Sequence, residues 1–431
     1  MGLALESVIL IGGLIFLLAI GIEVFAAVGL VGIIGLVVFV DQPLAQLGYT
    51  AFNTLNKPEL SSLPLFIFMG AIFSTTGIIR ALFSAGDKWL GALPGGLAST
   101  IIGVNGLFGA MCGSAVAATA TFSKITYPEM EKLGYSPRLS LGVLVAGGCL
   151  SPVIPPSATL IIYGAWTFTS LPRLFAGVLV PGLMLVFLFF LTVFALVKLD
   201  PSLTPKPSTS TWREKLIAIR DLLPWLGIIV AVLGVIFGGV MTVIEAASLG
   251  AALSMVLAAA YRRLSLAAVI ESGLTSILIT SMVAFLLFTA KIVGLVFVHM
   301  GAAEVFSAFM LNLPFGRFGI LIIIALIYLI GGMFMEDWAM MLLTLPFVLP
   351  IVTGLGYTYV WFGVWFVFIG IAGILTPPFG LNLFVVKSII PKHDIMEIAL
   401  AAAPFLIPIL MVAGLLIVFP KLAMWLPTLL Y

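Results

Sequence analysis

The sequence predicts an all-α polytopic membrane protein made of two inverted-topology repeats, each with five spans and one re-entrant hairpin. Three observations lead there: too little charge to face water, unbroken apolar runs of spanning length, and an internal repeat around a polar linker. Of 431 residues, 62% are hydrophobic and 8% charged, with 19 Lys+Arg against 17 Asp+Glu. A soluble globular chain carries about 25% charged residues. A mean hydropathy of +1.30 points the same way. A soluble enzyme, a nucleic-acid binder and a disordered scaffold are excluded. A β-barrel is excluded as well, because its strands would be short and alternating.

Apolar segments lie near 5–22, 24–40, 62–83, 139–165, 174–197, 222–240, 245–261, 268–298, 359–386 and 398–419. Such lengths suit a hydrocarbon core about 30 Å thick. Two further regions, 96–123 and 317–349, are interrupted near their middles by Gly and polar residues and read as the hairpins. The opening MGLALESVIL lacks the basic stretch of a secretory signal, so the first segment is expected to be an uncleaved span. The stretch 198–221 is rich in Pro, Ser and Thr and reads as an exposed linker. Cys112 and Cys149 lie in apolar sequence, and His299 and His393 are far apart. They suggest neither a disulfide framework nor a metal cluster.

Sliding the chain by 222 residues exposes the repeat. Pro155-Pro156 falls on Pro377-Pro378, Leu133-Gly134-Tyr135 on Leu355-Gly356-Tyr357, and Ile22-Glu23 on Ile244-Glu245. Over residues 107–156, 12 of 50 positions are identical, where about four would arise from composition alone. Orientation follows from the cations. Lys198, Lys206, Arg213, Lys215 and Arg220 put the linker in the cytoplasm, and Arg262-Arg263 agree two spans later. Lys124, Lys132 and Arg138 are then inside too, loop 41–61 is outside, and both termini are periplasmic. Five spans per half is an odd number, so the halves are inverted, the plan of many secondary transporters.

Four interruptions pair under the repeat. The hairpins turn at Met111–Ala115 and Gly331–Asp337, and the following spans break at Ser151–Ser157 and Thr376–Asn382. Proline removes an amide donor and clashes with the preceding turn, so Pro155-Pro156 and Pro377-Pro378 should unwind their helices. Inside a bilayer, unwound backbone is tolerated where protein buries it or where it lines a cavity. Freed carbonyls suit a cation, and half-helix amino termini suit an anion. A kink that serves packing alone is the competing reading. Glu336 and Asp337 stand at the second tip, where the first tip offers Ser114 and small residues; they suit a cation site or simply a wet surface. Glu23 and Glu245, at span ends, read as interfacial or interhelical hydrogen-bonding groups, and Lys291 as a substrate counter-ion or as a snorkelling or paired lysine.

At CGSAVAATATFSKITYPEMEKLGY, LSPVIPPSATLIIYG, GGMFMEDWAMMLLTLPFVLPIV and ILTPPFGLNLFV the chain resembles a known family. It is similar to the large membrane subunit of tripartite ATP-independent periplasmic (TRAP) transporters, the DctM/SiaM type, over essentially its whole length. The resemblance implies a non-enzymatic permease of the bacterial cytoplasmic (inner) membrane, with the elevator-type architecture of the ion-transporter superfamily. It implies sodium-coupled uptake of organic acids such as C4-dicarboxylates or sialic acid, delivered by a periplasmic binding protein. No cofactor is expected beyond sodium as coupling ion. A small four-helix membrane subunit is expected as a separate chain.

Carried onto this sequence, one sodium site would use Gly113, Ser114, Ser151, Pro155, Pro156 and Ser157. The other would use Gly332, Glu336, Asp337, Thr376, Pro377 and Gly380. Ser114, Ser157, Thr376 and Asn382 are the candidate substrate contacts. Where the family often carries a second serine after Gly-Ser, this chain has Ala115. The implied organisation is scaffold at 1–95 and 222–316, transport parts at 96–197 and 317–431, and the 198–221 linker between. A stand-alone sodium/dicarboxylate symporter is the alternative carrier. An intramembrane enzyme lacks a His-Glu-x-x-His motif or an Asp dyad. A proton pump lacks a line of titratable groups through the membrane.

Overall fold

The computed structural model describes residues 3–205, 210–377 and 380–431; Lys206, Ser208, Pro378 and Phe379 lie outside these. Among the described residues there are α-helices and no strand. The first half holds α1 (Leu3–Ala19), α2 (Val24–Ile34), α3 (Ala45–Leu55), α4 (Ser62–Thr75), α5 (Ile79–Leu90), α6 (Leu97–Cys112), α7 (Ala115–Lys132), α8 (Pro137–Gly148), α9 (Ala158–Thr167) and α10 (Leu171–Leu199). The second holds α11 (Trp212–Phe237), α12 (Val243–Ala260), α13 (Leu266–His299), α14 (Ala302–Leu311), α15 (Gly316–Gly332), α16 (Asp337–Gly354), α17 (Tyr359–Leu375), α18 (Leu381–Ile389), α19 (Ile395–Val418) and α20 (Lys421–Leu430).

Seven of the described helical segments are long and apolar enough to cross a bilayer unaided: 58–75, 171–199, 212–237, 243–260, 266–299, 337–354 and 395–418. Large apolar side chains such as Val8, Phe16, Leu278 and Ile407 face outward. In water that surface would be untenable; in lipid it is the expected finish. The protein is a multi-pass membrane protein.

Local chemistry sets the helix ends. Ser265 and Thr358 cap α13 and α17 by accepting backbone N–H groups at 3.1 and 3.2 Å, and Pro137 opens α8 at its first position. Both are favoured starts because the first amides of a helix have no internal partner. Thr211 and Glu214 form a capping box that starts α11 at Trp212. Residues 212–221 of the expected linker are therefore helical. Glu245 closes the same kind of box with Thr242 at 2.7 Å, a bond within its own helix end.

The segment read as one span at 62–83 is two helices. Thr76 turns its hydroxyl back onto the Ile72 carbonyl at 2.5 Å, and Gly77 takes a left-handed φ of +68°. The loop 41–61 contains α3 and a 3₁₀ turn at Pro58–Ser61.

Several of the most extensive helix contacts join the two halves. α2 and α4 lie against α13, α4 also against α12, α7 against α18, α9 against α16, and α8 against α19. Small residues permit the closest approaches. A Cβ on Gly142 would sit 2.3 Å from the Ala401 carbonyl oxygen where α8 meets α19. Helices α7 and α16 begin and end 222 residues apart, and so do the starts of α8 and α17.

Candidate functional site

Both pairs of interruptions appear where the prolines and glycines place them. α6 ends at Cys112, Gly113 takes φ +65°, and Ser114 caps α7 by accepting the Ala117 N–H at 3.4 Å. α8 ends at Gly148, residues 149–157 carry no helix, and Ser157 caps α9 by accepting the Leu160 N–H at 3.4 Å. In the second half, residues 333–336 separate α15 from α16, and 376–380 separate α17 from α18.

Each tip packs closely against the span that follows it. A Cβ on Gly113 would lie 3.2 Å from the Ala158 nitrogen and 3.4 Å from the Pro156 carbonyl oxygen. One on Gly109 would lie 2.8 Å from the Ser151 Cα. In the other half, Gly332 faces Gly373 so closely that an added Cβ would meet its Cα at 2.9 Å, and Gly370 holds the same distance to the Asp337 Cβ. Gly380 leaves 2.6 Å to the Ile374 carbonyl oxygen and 2.9 Å to that of Thr376. The first tip is thus set against Ser151 and Pro156 of its break, whereas the second tip, at Gly332 and Asp337, meets α17 at Gly373 and Gly370, ahead of Thr376, Pro377 and Gly380.

Between the tips and the pair α4 and α13 lies a cavity of about 500 Å³. Its near wall includes Ala115, Ala158, Asp337 and Leu381, the first residues of α7, α9, α16 and α18. Four helix amino termini therefore converge on one space, each worth roughly half a positive charge. Its far wall runs along α4 from Leu63 to Thr75 and along α13 from Glu271 to Val283. No lysine or arginine is among the described residues lining it, whereas Glu271, Glu336 and Asp337 are.

Of the four candidate substrate contacts, Ser114 lines the cavity; Ser157, Thr376 and Asn382 do not. The Thr376 hydroxyl donates to the Ala372 carbonyl at 2.6 Å, and the buried Asn382 amide donates to Cys149 Sγ at 3.4 Å. Ser151 Oγ and Asn382 Oδ1 are buried without a hydrogen-bond partner, so each keeps an oxygen free for a cation.

Two cavity residues escaped the sequence reading. Thr159 donates to Asp337 Oδ2 at 2.9 Å, and Glu271 stands on the second turn of α13. Thr159 lies in the stretch LSPVIPPSATLIIYG, two residues after Ser157, at the head of the apolar run TLIIY.

Lys291 is not on the cavity wall. Its ammonium lies 3.9 Å from the Trp166 ring centroid. Lys57 donates to the Ala165 carbonyl and stands 3.6 Å over the Phe168 ring. The two lysines thus hold the carboxyl end of α9, the negative end of its dipole. Burial lowers the Lys57 pKa from the ordinary lysine value, with Glu59 opposing.

The family model described as "Tripartite ATP-independent periplasmic transporter, DctM component" matches residues 11–422. The chain belongs to this family. TRAP large permease subunits are transport proteins and not enzymes. YgiK of Salmonella typhimurium is 33% identical over 425 residues, 98% of this chain and 97% of that one. The C4-dicarboxylate large permease DctM of Vibrio cholerae is 29% identical, with 100% and 98% covered. The sialic acid large permease SiaM of the same organism is 28% identical over 87% of each chain. Among solved structures, the YdaH transporter of Alcanivorax borkumensis aligns with a TM-score of 0.56 at 13% identity, covering 91% of this chain and 90% of that one. At that identity the likeness concerns the fold alone.

Proposed function

We propose that this TRAP large permease subunit imports an organic acid with sodium as coupling ion, by an elevator movement in the bacterial inner membrane. The observation that carries the reading is one cavity walled on one side by both tips, by Pro152 of the first break and by Leu381 just past the second, and on the other side by α4 and α13. A carboxylate there meets four helix amino termini without any lysine or arginine. Two cations beside it would offset Glu336 and Asp337. Neutral oxygens and carboxylates are the ligands a hard cation takes. Gly113, Ser114 and the 151–157 break are assigned to one sodium, and Gly332, Glu336, Asp337, Thr376, Pro377 and Gly380 to the other.

The inverted repeat is part of the proposal. It is supported by the 222-residue register of α7 with α16 and by the glycine contacts that set each tip against the span that follows it. Residues 96–197 and 317–431 form the moving part, and 1–95 and 222–316 the scaffold. Both termini are placed in the periplasm. The relatives named for C4-dicarboxylates and sialic acid set the substrate class. As partners we assign a periplasmic binding protein and a small four-helix membrane subunit.

The test is reconstitution of the permease with its small subunit in proteoliposomes. Uptake should need an inward sodium gradient together with substrate-loaded binding protein. Uptake driven equally well by a proton gradient in sodium-free buffer overturns the coupling. Robust uptake without the binding protein would make the chain a stand-alone symporter.

A further inference from the structure

The two groups of proposed sodium ligands meet through one side-chain bond. Thr159, the second residue of α9, belongs to the break that carries Ser157. Asp337, the first residue of α16, belongs to the second hairpin tip. The Thr159 hydroxyl donates to Asp337 Oδ2 at 2.9 Å across 178 residues of sequence, and both side chains are buried. α17 also packs close to Asp337: a Cβ added at Gly370 would lie 2.9 Å from the Asp337 Cβ. Settling the first turn of α9 therefore places a donor on the carboxylate of the second group, and settling that carboxylate steadies α9 in return.

We propose that Thr159 is a positioning residue that couples the two sodium sites, so that an ion at either one raises affinity at the other. The inference rests on the sodium reading above and adds to it a specific carrier of cooperativity. Coupling between sites is reciprocal by thermodynamic necessity, and a factor of roughly ten is ordinary for one such linkage. A bond to an ionised acceptor is also among the stronger ones available. Thr159→Val keeps the side chain's shape and removes the donor.

The experiment is sodium titration of the purified permease complex, following its thermal unfolding midpoint and, separately, initial uptake. The wild type should titrate with a Hill coefficient well above one. Thr159→Val should bring it close to one and raise half-saturation by about tenfold, while Thr159→Ser restores both. A hydrogen bond that serves packing alone would lower the midpoint equally at every sodium concentration and leave the Hill coefficient unchanged; that result overturns the proposal. If Thr159→Val does not fold, Thr159→Cys, a weaker donor, should give an intermediate coefficient, and a wild-type value there overturns it as well. A wild type that responds to sodium with a coefficient of one defeats the coupling and spares the sodium reading. A wild type indifferent to sodium defeats both.

Discussion

Substituting Gly113 with alanine tests whether the first hairpin tip is a sodium ligand or a mere turn. The residue holds φ at +65°, a conformation that costs a residue with a Cβ about 1–2 kcal/mol. The new methyl would fall 3.2 Å from the Ala158 nitrogen and 3.4 Å from the Pro156 carbonyl oxygen, tight but without overlap. The ion-bound tip must bear this strain, whereas the ion-free tip is able to relax. At about 1.4 kcal/mol per tenfold, the sodium concentration for half-maximal uptake should rise by about 5–30-fold. The assay is initial uptake in proteoliposomes across a sodium series at saturating binding protein. Gly134→Ala is the control: it has φ +82° with nothing within 4 Å of an added Cβ, at the turn after α7. It carries similar strain and should lower thermal stability while leaving the sodium curve in place. Equal shifts in both variants, or none in Gly113→Ala, would refute the assignment.

Ser157→Ala removes the cap of α9 and should cost about 0.5–2 kcal/mol, read as weaker sodium dependence with unaltered affinity of the binding protein for its substrate. Gly142→Ala forces a Cβ to within 2.3 Å of the Ala401 carbonyl oxygen; a loss of about 1–3 kcal/mol should appear as a lower unfolding midpoint with the sodium response intact. Lys57→Met should release the end of α9 and lower the midpoint by roughly 1 kcal/mol; an unchanged midpoint in a folded variant would discount the clamp. A cysteine placed at the exposed Ser202 should react with an impermeant thiol reagent only from the cytoplasmic side, and labelling from the periplasm would invert the topology.

Much of the architecture was legible because the bilayer permits few solutions. Continuous apolar runs give helices, and Pro-Pro and Gly-rich interruptions in register give the tips and breaks within a residue or two. The helices α5, α14 and α20 were missed for a physical reason. Each is only 10 to 12 residues long, shorter than the run an apolar search requires, and α5 mixes Arg80, Asp87 and Lys88 with its apolar face. The site was half legible. Ser114, Glu336 and Asp337 follow from the interruptions, but Thr159 and Glu271 follow only from the way the halves are packed. Nothing in a linear spacing says that α9 will meet α16, or that α13 will present its second turn to both tips.

That several of the most extensive helix contacts join opposite halves bears on how the chain is made. Synthesis proceeds at about 5–20 residues per second. Thr159 therefore waits roughly 10–35 s for an acceptor 178 residues downstream, and α2 waits longer for α13. During that interval the first half sits in the bilayer with its polar interruptions unmatched, open to lipid and to the membrane's quality-control proteases. Slowing the ribosome within α11 or α12 should lengthen that exposure and lower the yield of intact permease, even though no codon change there alters a residue.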